Sequence, residues 1–255
     1  MIYEITHPAR VAALFDGWEE TIVWSCLQGV MGRIYATDIN HPISAMAILG
    51  DFAFFAGEVN NELIAYKPNG CTQDFIIMIG QNETWQDAIV AFYGNKARVV
   101  SRYAFQKEPS IFDRNKLQKF VSSLPPGYRM DLIDEPLYRQ CRSQTWSADL
   151  VSQFRDYEEY RRLGLGAVIR RDGVIVSGAS SYSRYREGIE IEIDTREDYR
   201  RKGLATICGA KLILECLKRN LYPSWDAQNL WSVSLAEKFG YHYSHTYTAV
   251  EIWGY

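Results

Sequence analysis

The residues best suited to chemistry stand in one short stretch. From residue 189 the chain reads Ile189-Glu190-Ile191-Glu192-Ile193-Asp194, and after Thr195–Tyr199 it continues Arg200-Arg201-Lys202-Gly203-Leu204-Ala205. The alternation predicts a β-strand, in which residues two apart share a face. Ile189, Ile191 and Ile193 then line one face, and Glu190, Glu192 and Asp194 the other. Carboxylates on a strand inside a sheet are costly to bury unpaired. They therefore face solvent, counter-charges such as Arg184 or Arg186, or a polar cleft. In a cleft, mutual repulsion and partial desolvation raise their pKa values. A carboxylate tuned in this way suits a base that takes a proton from an ammonium. On pattern alone the solvated face and the catalytic face carry equal weight for Glu190 and Glu192. Asp194 is better placed to close the turn that follows.

That turn is basic, contains a glycine and opens the next predicted helix. Amides at a helix N-terminus lack intrahelical partners, and with the positive end of the helix dipole they form an anion site. Gly203 lets the backbone approach a phosphate with no Cβ in the way, and Arg200, Arg201 and Lys202 add positive charge. A solvated basic helix start with a structural glycine is the competing reading. Further on, Asn229 is a good N-cap for a second predicted helix, and Ser232 follows one turn later.

Around these residues the hydrophobic pattern predicts a mixed α/β chain. The clearest break is Ser122-Ser123-Leu124-Pro125-Pro126-Gly127, since two prolines and a glycine stop any helix. It divides residues 1–124 from 125–255. Before it, Pro8–Phe15, Glu19–Val30, Thr84–Tyr93 and Asp113–Val121 read as helices. Asp74–Gly80 and Arg98–Phe105 read as strands, and Ala45–Ala56 as two strands or a bent one. After it come strand Tyr128–Ile133, helices Leu137–Arg142 and Ser152–Arg162, and strands Gly166–Arg170 and Val174–Tyr182. Asp172-Gly173 joins the last two as a type I′ hairpin signal. Strand Gly188–Asp194, helix Gly203–Arg219, strand Tyr222–Ala227, helix Leu230–Phe239 and strand material over Tyr241–Trp253 complete the series. No fixed-period repeat is present.

Composition narrows the function. Hydrophobic residues make up 47% and charged residues 23%, enough for a sizeable core and too apolar for disorder. A net charge of -3 argues against a dedicated nucleic-acid binder. A basic patch of Arg196, Arg200, Arg201, Lys202 and Lys211 is interrupted by Glu197 and Asp198. Five scattered cysteines with no C-x-x-C pair predict reduced, mostly buried thiols in a cytoplasmic protein. The four histidines form no zinc motif, so no metal is expected. No basic n-region opens the chain, and the apolar stretch Ile22–Val30 is too short to span a bilayer, so no membrane association is expected.

Arg200-x-x-Gly203-x-Ala205 resembles the R/Q-x-x-G-x-G/A signature of the GCN5-related N-acetyltransferase (GNAT) superfamily. The resemblance runs from about Tyr128 to Trp253. It takes in the strand ending at Asp194, Asn229-x-x-Ser232 and Glu237-Lys238-Phe239-Gly240-Tyr241. The phrase Trp225-Asp226-Ala227-x-Asn229 is most similar to the zwittermicin A-resistance group. The resemblance implies a GNAT fold in the C-terminal half and transfer of acetyl from acetyl-coenzyme A (CoA) to an amine. It implies a pyrophosphate held by the amides of Arg201, Lys202, Gly203, Leu204, Ala205 and Thr206. It also implies a pantetheine arm beside Ile191–Thr195, touching Ile193 and Asp194, with Asn229 and Ser232 near the arm. The fourth and fifth strands of this fold splay apart to admit the thioester, which favours Glu192 slightly over Glu190 as the base. Many members carry a tyrosine general acid where this chain has Ala236; Tyr241, Tyr243, Tyr247 and water are the alternatives. A non-catalytic acyl-CoA sensor is the second reading. The first 124 residues are expected to form a smaller α/β domain. Its aromatics (Trp18, Trp24, Phe52, Phe54, Phe55, Trp85, Phe92, Tyr93) either wall an acceptor site for a small-molecule amine or form a core that serves stability or a homodimer.

Overall fold

A computed structural model describes residues 1–255. The chain opens with β1 (Tyr3–Glu4), 3₁₀ turns at Pro8–Arg10 and Ala12–Phe15, and helix α1 (Thr21–Leu27). Then follow β2 (Arg33–Ala36), β3 (Ser44–Leu49), β4 (Phe52–Gly57), α2 (Asn61–Ile64), β5 (Phe75–Gly80), α3 (Glu83–Tyr93) and β6 (Ala97–Phe105). After α4 (Arg114–Ser122) come β7 (Tyr128–Leu132), α5 (Glu135–Arg142), α6 (Tyr157–Leu163), β8 (Gly166–Arg171), β9 (Val174–Tyr185) and β10 (Gly188–Thr195). The chain ends with α7 (Leu204–Lys218), β11 (Tyr222–Ser224), β12 (Asp226–Ala227), α8 (Leu230–Phe239) and β13 (Tyr243–Trp253). No helix is long and apolar enough to cross a membrane.

Two compact units result. The first holds residues 1–102 and 246–255, and the second residues 103–245. The division therefore falls upstream of the proline break at residues 122–127, which turns the chain from α4 to β7 inside the second unit. The reason is packing: α4 buries Leu117 in one cluster with Ala210 and Ile213 of α7, so it belongs with the elements that follow it.

Each unit repeats one topology that the sequence pattern hides. In the first, β1, β2, β3 and β4 pair antiparallel in that order and β4 pairs parallel with β5. In the second, β7, β8, β9 and β10 pair antiparallel and β10 pairs parallel with β11. A helix links the parallel strands in both, α2 in one and α7 in the other. The likeness lies in strand order and direction, which no residue period records.

Local signals account for most boundaries. Asp172 and Gly173 hold φ of 51° and 81°, the paired positive values of a type I′ turn. Asn82 caps α3 by accepting the Trp85 amide at 3.1 Å, and Asp134 caps α5 through the Leu137 amide at 3.0 Å. The expected helix over Ser152–Arg162 is shorter, because Asp156 caps α6 by accepting the Glu159 amide at 2.8 Å; a 3₁₀ turn at Thr145–Leu150 precedes it. In the first unit Phe54, Phe55 and Trp85 are fully buried, so these aromatics are core, whereas Phe92 stays exposed. Cys26, Cys141, Cys208 and Cys216 are buried free thiols, and burial pushes each up to about 12.

Candidate active site

Strand β10 is the axis of the site. On one side it pairs antiparallel with β9, from Gly188↔Tyr185 to Thr195↔Ser177. The register slips between Glu190↔Ser183 and Ile191↔Ser181, so Tyr182 is an extra residue and β9 carries a β-bulge there. On the other side β10 pairs parallel with β11 only over Gly188↔Tyr222, Ile189↔Pro223 and Glu190↔Ser224. The expected continuous strand Tyr222–Ala227 breaks at Trp225, whose indole donates to Ser232 Oγ at 3.1 Å. Beyond it β12 pairs with the end of β6, Asp226 opposite Ala104. The two parallel strands thus part at Glu190, level with the bulge. From Ile191 to Thr195 no β11 residue faces β10, a stretch of about 16 Å at roughly 3.3 Å per residue.

The two faces of β10 differ as the alternation predicts. Ile189 packs with Leu204, Ile207, Cys208 and Leu212 of α7, joined by Ile191 and Ile193. Glu190, Glu192 and Asp194 lie on the opposite face and are each half-buried. That face also carries Ser180, opposite Glu192, whose Oγ bonds the Tyr160 hydroxyl at 2.9 Å. Asp194 closes the turn: its Oδ1 accepts the Thr195 amide at 2.6 Å. Burial pushes its carboxyl up, against the pull of the Thr195 amide and Arg200.

The basic turn is built from the backbone outward. Arg200 Nε donates to the Thr195 carbonyl at 3.2 Å, tying the strand end to the turn. Arg201 and Gly203 hold φ of 60° and 77°, and Gly203 is the N-cap of α7 with no side-chain cap. Beyond its own chain neighbours, no atom lies within 4 Å of the position a Cβ on Gly203 would take, so conformation and an open surface, not crowding, call for glycine here. The amides of Leu204, Ala205 and Thr206 occupy the first turn of α7, where no helical carbonyl stands four residues earlier to accept them. Lys202 lies 4.4 Å from the Tyr199 ring centroid and donates to the Asp198 carbonyl at 2.9 Å. Two residues of the basic patch are ion-paired: Arg196 with Asp198 at 2.7 Å and Lys211 with Glu215 at 3.0 Å.

At α8 the side chains are engaged structurally. Asn229 Oδ1 accepts the amides of Trp231 and Ser232 at 3.0 and 2.9 Å, a full N-cap, and Ser232 Oγ takes the Trp225 indole. Ala236 is fully buried and offers no acid. Tyr241 is also buried, and its hydroxyl donates to the Pro223 carbonyl. Burial drives that phenol well above its ordinary pKa, so it is a poor proton donor. The alternation did not reveal the hydroxyls in register with Glu190, Ser183 on β9 and Ser224 on β11. Only knowledge of the bulge would put Ser183 on the face of Glu190.

Comparison with known proteins identifies the family of the chain. Residues 12–250 match the family model described as GNAT acetyltransferase. An uncharacterized N-acetyltransferase of Bacillus subtilis (strain 168), YdfB, is 26% identical over 243 residues, covering 91% of this chain and 90% of the relative. A crystal structure of a GCN5-related N-acetyltransferase-like protein from Streptococcus suis shares 49% identity over 96% of this chain and 98% of that one, with a TM-score of 0.90. A tandem GNAT protein from the clavulanic acid biosynthesis pathway shares the fold at 8% identity, with a TM-score of 0.56 over 100% of this chain and 99% of that one. The match spans both units, so the fold likeness is not confined to the C-terminal half, and the chain belongs to the GNAT acetyltransferase family.

Proposed function

We propose that this protein transfers an acetyl group from acetyl-CoA to a primary amine of a small molecule. One observation carries the reading. Strand β10 leaves β11 at Glu190 and, still paired with β9 on its other side, runs to a turn whose glycine-capped helix start is open. The cradle fits a pyrophosphate: Gly203 presents bare backbone, the first-turn amides of α7 have no internal partner, and a basic segment surrounds them. Bound acetyl-CoA supplies the acetyl group as an activated thioester.

The residues of this chain then have separate tasks. The amides from Arg201 to Thr206 hold the pyrophosphate, helped by the dipole of α7. The unpaired edge of Ile191–Thr195, including the backbone of Ile193 and Asp194, binds the extended arm. An arm running back along this edge from the turn would bring the thioester toward Glu190, where β10 and β11 part. Asn229 Oδ1 is committed to its helix, which leaves the Nδ2 amide for the arm. Glu190 is favoured over Glu192 as the base, because it stands where the gap begins and Glu192 stands along the arm. It takes the proton from the incoming ammonium and so frees the lone pair that attacks. With Ala236 in the core and Tyr241 bonded to Pro223, solvent protonates the departing thiolate. The Trp225–Asn229 phrase supports the zwittermicin A-resistance type, so an amino-containing antibiotic is the first acceptor class to try.

Two measurements test the proposal: a thermal shift with CoA, and thiol release from acetyl-CoA over a panel of small amines. No shift with millimolar CoA would remove the cofactor site. A shift without thiol release for any amine would reduce the protein to an acyl-CoA-binding module.

A further inference from the structure

Strand β9 buries four serines completely: Ser177, Ser180, Ser181 and Ser183. Three of them are satisfied. Ser177 Oγ bonds Thr195 Oγ1 at 2.7 Å, Ser180 Oγ bonds the Tyr160 hydroxyl at 2.9 Å, and Ser181 Oγ accepts the Leu165 amide at 3.0 Å. Ser183 Oγ has no hydrogen-bond partner. A buried hydroxyl without a partner adds nothing to the fold and detracts from it. Its place in the sheet is specific. Ser183 is in register with Glu190, which is in register with Ser224 on the other side. Residues directly opposite in neighbouring strands share a face, so the three side chains form a row across β9, β10 and β11. The row lies at the last level where β10 has both neighbours, at the head of the gap.

One carboxylate oxygen of Glu190 is already shut off from water, and a ligand that fills the gap strips water from the rest of the side chain. A desolvated carboxylate needs donors to stay ionised. Of the two hydroxyls in its row, that of Ser224 is already paired with the Tyr185 hydroxyl at 2.9 Å. We propose that Ser183 is a positioning residue for the base: once the gap is filled, its hydroxyl donates to the Glu190 carboxylate and holds it ionised and facing the acceptor. This rests on the acetyltransfer reading above. Ser183 keeps its proton throughout; one ammonium proton goes to Glu190, and as the N–C bond forms and the C–S bond breaks the second nitrogen proton passes to solvent and the departing thiolate takes a proton from solvent.

The test uses the full chain with acetyl-CoA and the best acceptor among spermidine, glucosamine, tryptamine and kanamycin. Ser183→Ala is expected to lower kcat about tenfold at pH 7 with an unchanged KM for acetyl-CoA. It should move the acid limb of the kcat profile up by roughly half a pH unit, since a lost donor raises a carboxylate pKa. The unfolding midpoint should hold or rise, because an orphan hydroxyl is removed. In a Glu190→Gln background the same change should have no further effect. A carboxyl NMR titration of Glu190 in the CoA-loaded protein gives the same comparison without an acceptor, and the alanine variant should titrate at higher pH. An unmoved Glu190 titration, or a full tenfold loss in the Glu190→Gln background, would overturn the proposal while leaving acetyltransfer intact. Absence of CoA binding in the parent would overturn both, and the thermal shift identifies that case.

Discussion

The two units use one strand order to opposite ends. In the first, the pairing of β4 with β5 does not open. It runs from Phe52↔Ile77 to Phe55↔Gly80, and the Gln81 amide extends it to the Phe55 carbonyl at 2.9 Å. Side chains then cap the end of β4: the Gly57 amide donates to Gln81 Oε1 at 3.0 Å, and Trp85 Nε1 donates to the Gly57 carbonyl at 2.8 Å. The helix that follows has four residues, and Asn60 Oδ1 occupies its N-terminus by accepting the Leu63 amide at 2.9 Å. In the second unit the corresponding pairing stops at Glu190, and the following helix has 15 residues and a bare Gly203 start. The lesson is that this fold does not by itself make a cofactor site. The proposed site rests on two local omissions, a shortened β11 and a helix cap without a side chain.

The largest effect that the contrast predicts follows from closing the second omission. Gly203→Glu should reduce CoA affinity more than a hundredfold. It puts a carboxylate where the phosphate charge approaches, and an L-residue at φ 77° adds only about 1 kcal/mol of strain. The fold should persist, because the Cβ position is open. Calorimetry with CoA, paired with an unfolding curve, checks both halves; retained affinity would place the pyrophosphate elsewhere. Next in size, Glu190→Gln should lower kcat at pH 7 by about 10² to 10³ while CoA affinity stays within a few-fold. The deficit should shrink toward high pH, where the amine deprotonates unaided. Parallel pH profiles for mutant and parent would transfer the role to Glu192 or to water.

Sequence reading reached the second unit more fully than the first. The alternation at Ile189–Asp194, the Asp172-Gly173 turn and the Arg200–Gly203 segment each fix a local conformation through residues adjacent in the chain. The parting of β10 and β11 does not. It depends on Trp225 turning to Ser232 and on the bulge at Tyr182, both of which are tertiary events. The topological repeat was hidden for a related reason. Strand order is set by which apolar faces find each other, and the Phe52–Gly57 run of β4 shares no pattern with Ile189–Asp194 of β10. Proline marks a turn equally well inside a unit and between two, so the break at residues 122–127 does not point to the division after residue 102.

A smaller effect concerns how α7 is anchored, a feature that the short α2 has no length to hold. Buried Glu215 meets Lys211, Lys218 and Arg219 at the C-terminal end of α7. Burial alone would raise its carboxyl, but hydrogen bonds from Lys218, Arg219 and Lys211 outweigh it and hold the pKa at about 2. A depressed folded-state value stabilises above the unfolded value, 4.5, and that contribution is lost as pH falls from there toward 2. Glu215→Gln should therefore destabilise the protein at pH 7 by on the order of 2 kcal/mol. The gap between mutant and parent should close between pH 4.5 and about 2. Urea unfolding across that range is the check, and a constant gap would assign the effect to packing.

The smallest effect comes from loosening the closed end of β4. Trp85→Phe keeps a ring in the first core and removes the bond to the Gly57 carbonyl. One lost net hydrogen bond plus a small void predicts a loss of about 1–2 kcal/mol, because Trp85 is fully buried and the void cannot fill by collapse alone. The informative result is what should not change. If the first unit is closed by its backbone register and by the Asn60 cap, loosening Trp85 opens no anion site, and the chain should bind one CoA before and after. Two steps in the calorimetric titration of the variant would mean that Trp85 alone keeps a second site shut. A changed affinity at a stoichiometry of one would mean that the end of β4 acts on the cofactor site proposed for the second unit. An unchanged affinity and stoichiometry, with the stability loss, is the outcome expected of a core in which the indole serves only its own unit.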